Sequence, residues 1–186
     1  MISNLAVKLN WYRQSELEGA LMLGRLVGRV GDARLITKLT KHCAEEAEHS
    51  RIWMETIVAL GLPIVRIRRS YQSFYLDHGG APGSVLEVLC FTQIFERRVH
   101  RRFSEEERAP ETPEAVRRAY RKMIEDEKDH LGWVAEWLRG QPGAAECLRH
   151  YQEIDRRVFE EIRPYEGCLR TVPGLCDETM EETVTQ

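Results

Sequence analysis

The sequence lacks long apolar runs, paired cysteines and any strong imbalance of charge. No apolar stretch approaches the ~18 residues that a membrane-spanning helix needs, and the first residues do not form a signal peptide. The net charge is only −3, with 31% charged residues, which describes an ordinary soluble surface and not one that binds nucleic acid. We therefore expect a cytoplasmic protein that acts on neither membranes nor nucleic acid.

The five cysteines form no Cys-x-x-Cys pair, the spacing that redox and zinc motifs use. Their odd number favours reduced thiols, as in the cytoplasm. Cys43 and Cys90 fall within amphipathic segments, where cysteine is usually a small buried apolar residue. Cys168 and Cys176 flank a Pro-Gly turn, and a redox pair is the less favoured interpretation for them because no partner motif accompanies them.

The 7 prolines and most of the 13 glycines lie at or beyond the ends of long helical segments. Between these ends, apolar residues recur every three to four positions, as in helices with one buried face. The pattern predicts four long helices, at about 4–30, 33–60, 84–108 and 113–140, and a short fifth at about 144–162. Residues 62–83 are predicted to form a long connection without regular structure.

The order of these segments indicates an all-α fold. A short turn at Gly31 makes the first two helices an antiparallel hairpin, and the break at 109–110 does the same for the next two. Two hairpins joined by a long crossover form a four-helix bundle, and the fifth helix covers one end or side. We place the bundle domain at 1–163 and expect an irregular, acidic C-terminal tail at 164–186.

Two Glu-x-x-His pairs lie in this bundle, Glu46 with His49 and Glu127 with His130. Positions i and i+3 project from the same helix face, so each pair can offer a carboxylate oxygen and an imidazole nitrogen to one point. Each pair is preceded by another glutamate, which lies on the long helix predicted just before it in the sequence. These two upstream glutamates are Glu16 and Glu96.

All four glutamates lie on the apolar, core-facing side of their predicted helices. Neighbours of Glu16 at helical spacing are mostly leucine and valine, whereas Glu18 lies on a polar stripe and is assigned to the surface. An unpaired carboxylate is expensive to bury, so a core position calls for a compensating cation. Glu16 and Glu46 are also equidistant from the turn at Gly31, which places them level in the bundle.

Four inward carboxylates would balance the charge of two divalent cations. Carboxylates can bridge two ions, and imidazole suits iron and manganese, whereas structural zinc favours thiolates and imidazoles. Glu46 and Glu127 are predicted to bridge the ions, with the other residues as terminal ligands. The predicted ligands are Glu16, Glu46, His49, Glu96, Glu127 and His130.

Four further residues are candidates for a role beside the ligands. Tyr12 and Tyr120 can hydrogen-bond a bound oxygen species or act as redox-active phenols, and the alternative is a core tyrosine with its hydroxyl satisfied elsewhere. His42 and His100 lie one turn from a predicted ligand and are equally well explained as partly exposed helix residues. The acids that can orient a ligating histidine, across helices only, are Asp126 and Asp129.

These residues and their spacing resemble the ferritin-like superfamily of non-haem di-iron carboxylate proteins, over about residues 4–140. The stretches at 15–21 and 92–98 look like those of small bacterial ferritin-like domain proteins. The resemblance implies two iron ions, with manganese or a mixed pair as alternatives. It also implies dioxygen or peroxide as reactant and an external electron donor. We expect a homodimer, because many helical bundles of this size associate through a side face.

Three functions are compatible with this pattern. The first is an oxidase or oxygenase acting on a small organic or acyl substrate, with the 62–83 connection as a lid or channel wall, although a loop that merely crosses the bundle explains it equally well. The second is iron oxidation or peroxide reduction of the ferritin or rubrerythrin kind, but the rubredoxin domain usual in rubrerythrins is absent. The third is a non-catalytic bundle. We rank oxygen-dependent redox chemistry first.

Overall fold

The computed structural model describes residues 2–177, which form six α-helices followed by two short 3-10 turns. Within that range no helix is both long enough and apolar enough to cross a membrane. The prediction of an all-α bundle is confirmed. The helices are α1 (Asn4–Val27), α2 (Ala33–Ala59), α3 (Tyr71–Gly79), α4 (Val85–Arg108), α5 (Glu114–Arg139) and α6 (Ala144–Ile162).

Side-chain caps fix the starts of three long helices. Ser3 Oγ accepts a hydrogen bond from the backbone N–H of Ala6 (3.1 Å) at the start of α1. Asp32 caps α2, and Ser84 forms a reciprocal capping box with Glu87 at the start of α4. The helix ends agree with the prediction to within about three residues, because glycine and proline stop helices locally.

The connection between the hairpins contains a helix, which corrects the prediction of an irregular segment. Helix α3 begins after Ser70, whose Oγ accepts a hydrogen bond from the backbone N–H of Ser73 (3.3 Å). A helix of nine residues is marginal on its own. Burial of Phe74 and Tyr75 against the bundle stabilises it. Its formation therefore depends on tertiary contacts that no periodic pattern in the sequence indicates.

The four long helices form two hairpins, α1 with α2 and α4 with α5, and α2 packs against α5. Helix α6 lies against α3 and α4, and α3 also contacts α1. Buried apolar side chains form two clusters, a larger one that includes residues of α3, α6 and the C-terminal segment, and a smaller one at one end of the bundle. The larger cluster includes Leu23 and Leu39, and the smaller one includes Leu9, Trp53 and Phe103. Between the two clusters lies a layer of buried polar side chains.

The segment after α6 returns to the bundle. Leu169, Val172 and Leu175 are buried in the larger cluster, and the backbone N–H of Arg68 donates to the carbonyl of Leu175 (2.8 Å). The backbone N–H of Leu169 donates to Asn4 Oδ1 (2.7 Å), which ties this segment to the start of α1. The acidic end of the predicted tail lies outside the described residues.

Candidate metal centre

Seven carboxylate and imidazole side chains meet in the polar layer at mid-bundle. Six are the predicted ligands, and the seventh is His42 of α2. All seven are more than nine-tenths buried. They form two overlapping groups of four, within each of which the potential ligand atoms lie within 4.8 Å of one another. The first group is Glu16, Glu46, His49 and Glu127, and the second is His42, Glu46, Glu96 and His130.

Glu46 belongs to both groups, as a bridging carboxylate would. Its Oε1 lies 3.8 Å from His49 Nδ1 and 3.5 Å from His130 Nδ1. One carboxylate between the imidazoles of the two motifs fits a pair of ions that share it. Glu127, the second predicted bridge, falls in the first group, and its Oε2 also lies 3.8 Å from His130 Nδ1 of the second group. Both glutamates of the two motifs therefore lie next to residues of both groups.

Each histidine of a Glu-x-x-His pair is held by an acid from the helix of the other pair. His49 Nε2 lies 3.0 Å from Asp126 Oδ2, and His130 Nε2 lies 3.1 Å from Glu45 Oε2. Each acid immediately precedes the glutamate of its own motif, so the arrangement is reciprocal. A carboxylate beside Nε2 fixes the ring proton there and leaves the lone pair of Nδ1 directed inward.

A lysine one turn earlier accompanies each orienting acid. Lys122 Nζ lies 2.6 Å from Asp126 Oδ1, and Lys41 Nζ lies 3.2 Å from Glu45 Oε1. The chain thus carries the pattern Lys-x-x-x-acid-Glu-x-x-His twice, in α2 and in α5. Asp126 is one of the two acids predicted to orient a histidine on another helix. No role is predicted for Glu45 or for either lysine. Aligning the two motifs residue by residue would have found them.

Several inward atoms lie farther apart than hydrogen-bonded atoms do, at distances that fit ligands of one metal ion. His49 Nδ1 lies 3.8 Å from Glu16 Oε2, and His130 Nδ1 lies 3.8 Å from Glu127 Oε2. Among the described residues, these two nitrogens have no hydrogen-bond partner, and neither do Glu46 Oε1 and Glu127 Oε2. Two atoms that each lie ~2 Å from one ion are about 3–4 Å apart. The residues therefore fit a pair of metal ions.

The charges of the cluster also call for cations. Burial, and then the neighbouring carboxylates, raise the pKa values of Glu46 and Glu127 well above the usual range. Burial opposes the charge on His49, but Glu16 and Glu46 outweigh it and raise its pKa to about 10. Ionised carboxylates are thus costly here unless positive charge is supplied. Two divalent ions would supply four positive charges for four carboxylates.

His42 lies close enough to the centre to be a ligand itself, and not only a neighbour of the ligands. Its Nε2 is 2.8 Å from Glu96 Oε1 and 3.3 Å from Glu46 Oε1. Its ring stacks on His130 with centroids 3.6 Å apart, and it is buried, not partly exposed. The sequence signal was its position one turn before Glu46, which fits a ligand as well as a neighbour of ligands. The structure makes His42 a seventh candidate ligand.

Three residues outside the motifs shape the surroundings of the glutamates. Trp53 Nε1 donates to Glu16 Oε1 (3.3 Å). Gly19 faces Glu46, and a Cβ at this position would lie only 2.8 Å from Glu46 Oε2. Gln72 of α3 donates to a backbone carbonyl of α1 (2.7 Å) and lines a cavity beside Glu46. Sequence patterns give no sign of Gly19 or Gln72, because both act through contacts between helices.

The two predicted tyrosines contact a different acid. Tyr12 Oη donates to Glu106 Oε1 (3.0 Å), and Tyr120 Oη donates to the other oxygen of that carboxylate. These contacts favour the alternative stated for both residues, a core tyrosine with its hydroxyl satisfied elsewhere. His100 lies outside both groups of four, partly buried on α4, and burial lowers its pKa.

The centre has cavities of opposite character on its two sides. On the side of α1, α3 and α4, an inner cavity of about 20 Å³ is lined by Glu16, Glu46, Glu96 and Glu127 together with apolar side chains. On the side of α2 and α5, a polar cavity of about 260 Å³ extends from exposed lysines to the buried rings of His42 and His130. The charged residues of the polar cavity are Lys38, Lys41, Glu45, Lys128, Asp129 and Glu136.

No protein-family model, curated protein or solved structure matches the chain. Its class is therefore defined by fold and site alone: an all-helical bundle with buried carboxylate and imidazole groups that can bind metal ions. The donor set consists of carboxylate oxygens and imidazole nitrogens without thiolate, and such a set suits iron and manganese.

Proposed function

We propose that the chain is a dinuclear metal carboxylate protein, with iron as the favoured metal, that carries out oxygen-dependent redox chemistry as an oxidase or oxygenase. The observation that carries this proposal is the pair of overlapping ligand groups that share Glu46. Within the described residues, Nδ1 of His49 and of His130, Glu46 Oε1 and Glu127 Oε2 have no hydrogen-bond partner. Two divalent ions would leave the polar layer close to neutral.

Each side chain has a role that its geometry supports. A bound pair of iron ions, or manganese in either position, would supply the one-electron chemistry that protein side chains lack. Glu46, which belongs to both groups of ligands, would be shared by the two ions. Asp126 and Glu45 hold the Nε2 protons of the histidines, which keeps the Nδ1 lone pairs available. The apolar clusters shield the centre from bulk water except on the side of the polar cavity. An external donor would supply electrons for repeated turnover.

The space beside the centre favours a small substrate. The inner cavity and the cavity next to it measure about 20 and 30 Å³, far below the ~300–1,000 Å³ of pockets for drug-sized ligands. Tyr71 and Gln72 of α3 line these spaces, so an acyl chain would enter only if α3 moved aside. We therefore favour a small molecule over an acyl substrate.

The polar cavity supports a second candidate, iron oxidation or peroxide reduction of the ferritin or rubrerythrin kind. Its volume of about 260 Å³ and its charged walls suit hydrated ions and peroxide. It leads to His42 and His130 without passing an apolar barrier. Substrates of this kind need no organic binding pocket, which agrees with the small inner cavity.

Metal content per chain after anaerobic loading with ferrous iron tests the centre. We expect about two irons in the wild type and their loss in Glu127→Ala with His130→Ala. Glu125→Ala with Asp129→Ala is the matched control, because it removes two exposed residues from the same helix. If the wild type binds no stoichiometric iron and the substitutions do not change its folding, the non-catalytic bundle is the only remaining interpretation.

Dioxygen uptake by the iron-loaded chain separates the two catalytic candidates. Uptake that rises when a small organic substrate and a reductant are added would favour the oxidase or oxygenase. Uptake that rises with excess ferrous iron, together with assembly into a cage, would favour iron oxidation and storage. The double variant at Glu127 and His130 should show neither response, which ties the uptake to the centre.

A further inference from the structure

Three spaces that share lining residues lie between the protein surface and the carboxylate side of the centre. The inner cavity adjoins an aromatic cavity of about 30 Å³, lined by Trp11, Phe95 and Phe103 among others, which adjoins a surface groove of about 210 Å³. Three side chains line both the inner and the aromatic cavity, and we call them the partition between the two. They are Glu16, Phe95 and Val99. The side chains shared by the aromatic cavity and the surface groove are Tyr71, Arg98 and Arg102.

The aromatic cavity is suited to a small apolar occupant. Aromatic rings of α1, α3 and α4 and the side chain of Val99 form its apolar walls, and its polar lining residues are Ser15, Glu16, Arg98 and Arg102. Cavities with apolar walls take up apolar molecules such as xenon. A water-sized molecule needs roughly 10–15 Å³ of such space, so 30 Å³ holds a molecule of only a few atoms.

The outer rim of the aromatic cavity favours a neutral occupant. Arg98 Nε lies 2.5 Å from Asp155 Oδ1, and Arg102 Nε lies 3.0 Å from Glu106 Oε1. Both guanidinium groups are therefore already paired with carboxylates, and their charge is balanced before any ligand arrives. The polar cavity on the opposite side of the centre offers charged walls instead. The aromatic cavity therefore has a less polar lining than the cavity on the opposite side.

We propose that the aromatic cavity is a binding site for dioxygen, a small, neutral and apolar molecule, and that Val99 controls its passage to the inner cavity. Val99 is the smallest of the three side chains in the partition, and it is not a candidate ligand. A larger side chain at this position closes the passage, and a smaller one widens it. The inference that the centre uses dioxygen rests on the proposed function, whereas the inference that the aromatic cavity binds dioxygen does not.

Methyl relaxation in the presence of dissolved dioxygen tests the site directly. The full chain is methyl-labelled and studied either without metal or loaded with diamagnetic Zn²⁺. Dioxygen is paramagnetic, so we expect faster relaxation at Val99 and Leu23, which line the cavities, than at Val116, which is buried elsewhere. Val99→Phe should reduce the effect at Leu23 to the level of ordinary buried methyls. Val58→Phe, at an exposed position, is the matched control.

A second variant and a second measurement keep the outcomes distinct. Val99→Ala should increase the effect at Leu23, and it decides the question if Val99→Phe fails to fold. In the ferrous-loaded chain, Val99→Phe should slow oxidation by dioxygen, whereas Val58→Phe should not. Equal relaxation at Leu23 and Val116 would overturn the binding site, and unchanged oxidation in Val99→Phe would overturn the role of Val99. Enhanced relaxation in a chain that binds no iron would refute the proposed function and leave the dioxygen site standing.

Discussion

At the residue scale, the geometry of the centre depends on side chains that need not touch a metal. Asp126 and Glu45 each fix the ring of a histidine on the opposite helix. Gly19 leaves the space that the Glu46 carboxylate occupies. A site is held in its productive geometry by such supporting contacts. Single substitutions at these positions should therefore change metal binding more than they change the fold.

Removing the acid that orients His49 should weaken metal binding. We expect Asp126→Ala to lower the affinity for iron by roughly 10–100-fold, the usual effect of losing a carboxylate that holds a ligating histidine. Asp129→Ala is the control, because the Asp129 side chain lies on the same helix and is 78% exposed. Competition with a chelator measures both affinities. Equal affinities for the two variants would contradict the orienting role of Asp126.

Adding one methyl group at Gly19 should disturb the bridging position. In Gly19→Ala the new Cβ would lie 2.8 Å from Glu46 Oε2, so the carboxylate must move and iron content should fall. Gly24→Ala, also on α1, brings its Cβ no closer than 3.4 Å to Cys43 Sγ. This control should keep its iron and gain about 0.5–1 kcal/mol from helix propensity. Metal analysis and urea unfolding measure the two effects, and full iron content in Gly19→Ala would argue against a fixed bridge.

At the scale of elements, one half-buried carboxylate joins three helices. Glu106 of α4 accepts hydrogen bonds from Tyr12 of α1 and Tyr120 of α5. It also pairs with Lys8 (2.6 Å) and Arg102 (3.0 Å). Burial opposes the ionisation of Glu106, but Lys8 and Arg102 outweigh it and hold its pKa below the usual 4.5. An ionised Glu106 therefore holds α1, α4 and α5 together beside the smaller apolar cluster.

Neutralising this carboxylate should have an effect that depends on pH. Glu106→Gln should reduce the free energy of unfolding by about 1–3 kcal/mol at neutral pH, because it weakens hydrogen bonds to a charged acceptor. The folded pKa is lower than the unfolded value near 4.5, so this contribution is present above that pH and is lost as the pH falls through the folded pKa.

The difference between the wild type and Glu106→Gln should therefore shrink in acid. Urea unfolding at a series of pH values from neutral to acid measures it. Glu105→Gln is the control, since the Glu105 side chain is 68% exposed, and it should match the wild type closely at every pH. A difference that stays constant with pH would show that the charge of Glu106 does not stabilise the fold.

An element can be predicted from the sequence when residues close to it in the sequence stabilise it, and not when distant segments do. Helices α1, α2, α4 and α5 have long apolar stripes and local start and stop signals, so the sequence predicts them to within a few residues. Helix α3 has nine residues and forms against α1 and α6, so its cause lies in segments distant in the sequence. The same holds for Gln72, which reaches the centre only because α3 is in place.

At the scale of the whole molecule, the C-terminal segment completes the larger cluster. Leu169 is fully buried there, although it lies beyond the last α-helix. Leu169→Ala should reduce the free energy of unfolding by about 2–5 kcal/mol, as for other buried leucines. Leu21→Ala, at a position that is 54% exposed, should change it by less than about 0.5 kcal/mol. Urea unfolding measures both, and equal effects would mean that this segment is not part of the cooperative core.

The sequence by itself determined the features that depend on local spacing. Helical periodicity placed six carboxylate and imidazole groups on inward faces, and caps and breaks set the helix bounds; these are relations between residues a few positions apart. Only the tertiary structure decided that His42 joins the ligand groups, that Glu45 and Asp126 orient histidines reciprocally, and that the two sides of the centre differ in polarity. Each of these depends on the distance between side chains of different helices, which helix packing sets and sequence spacing does not.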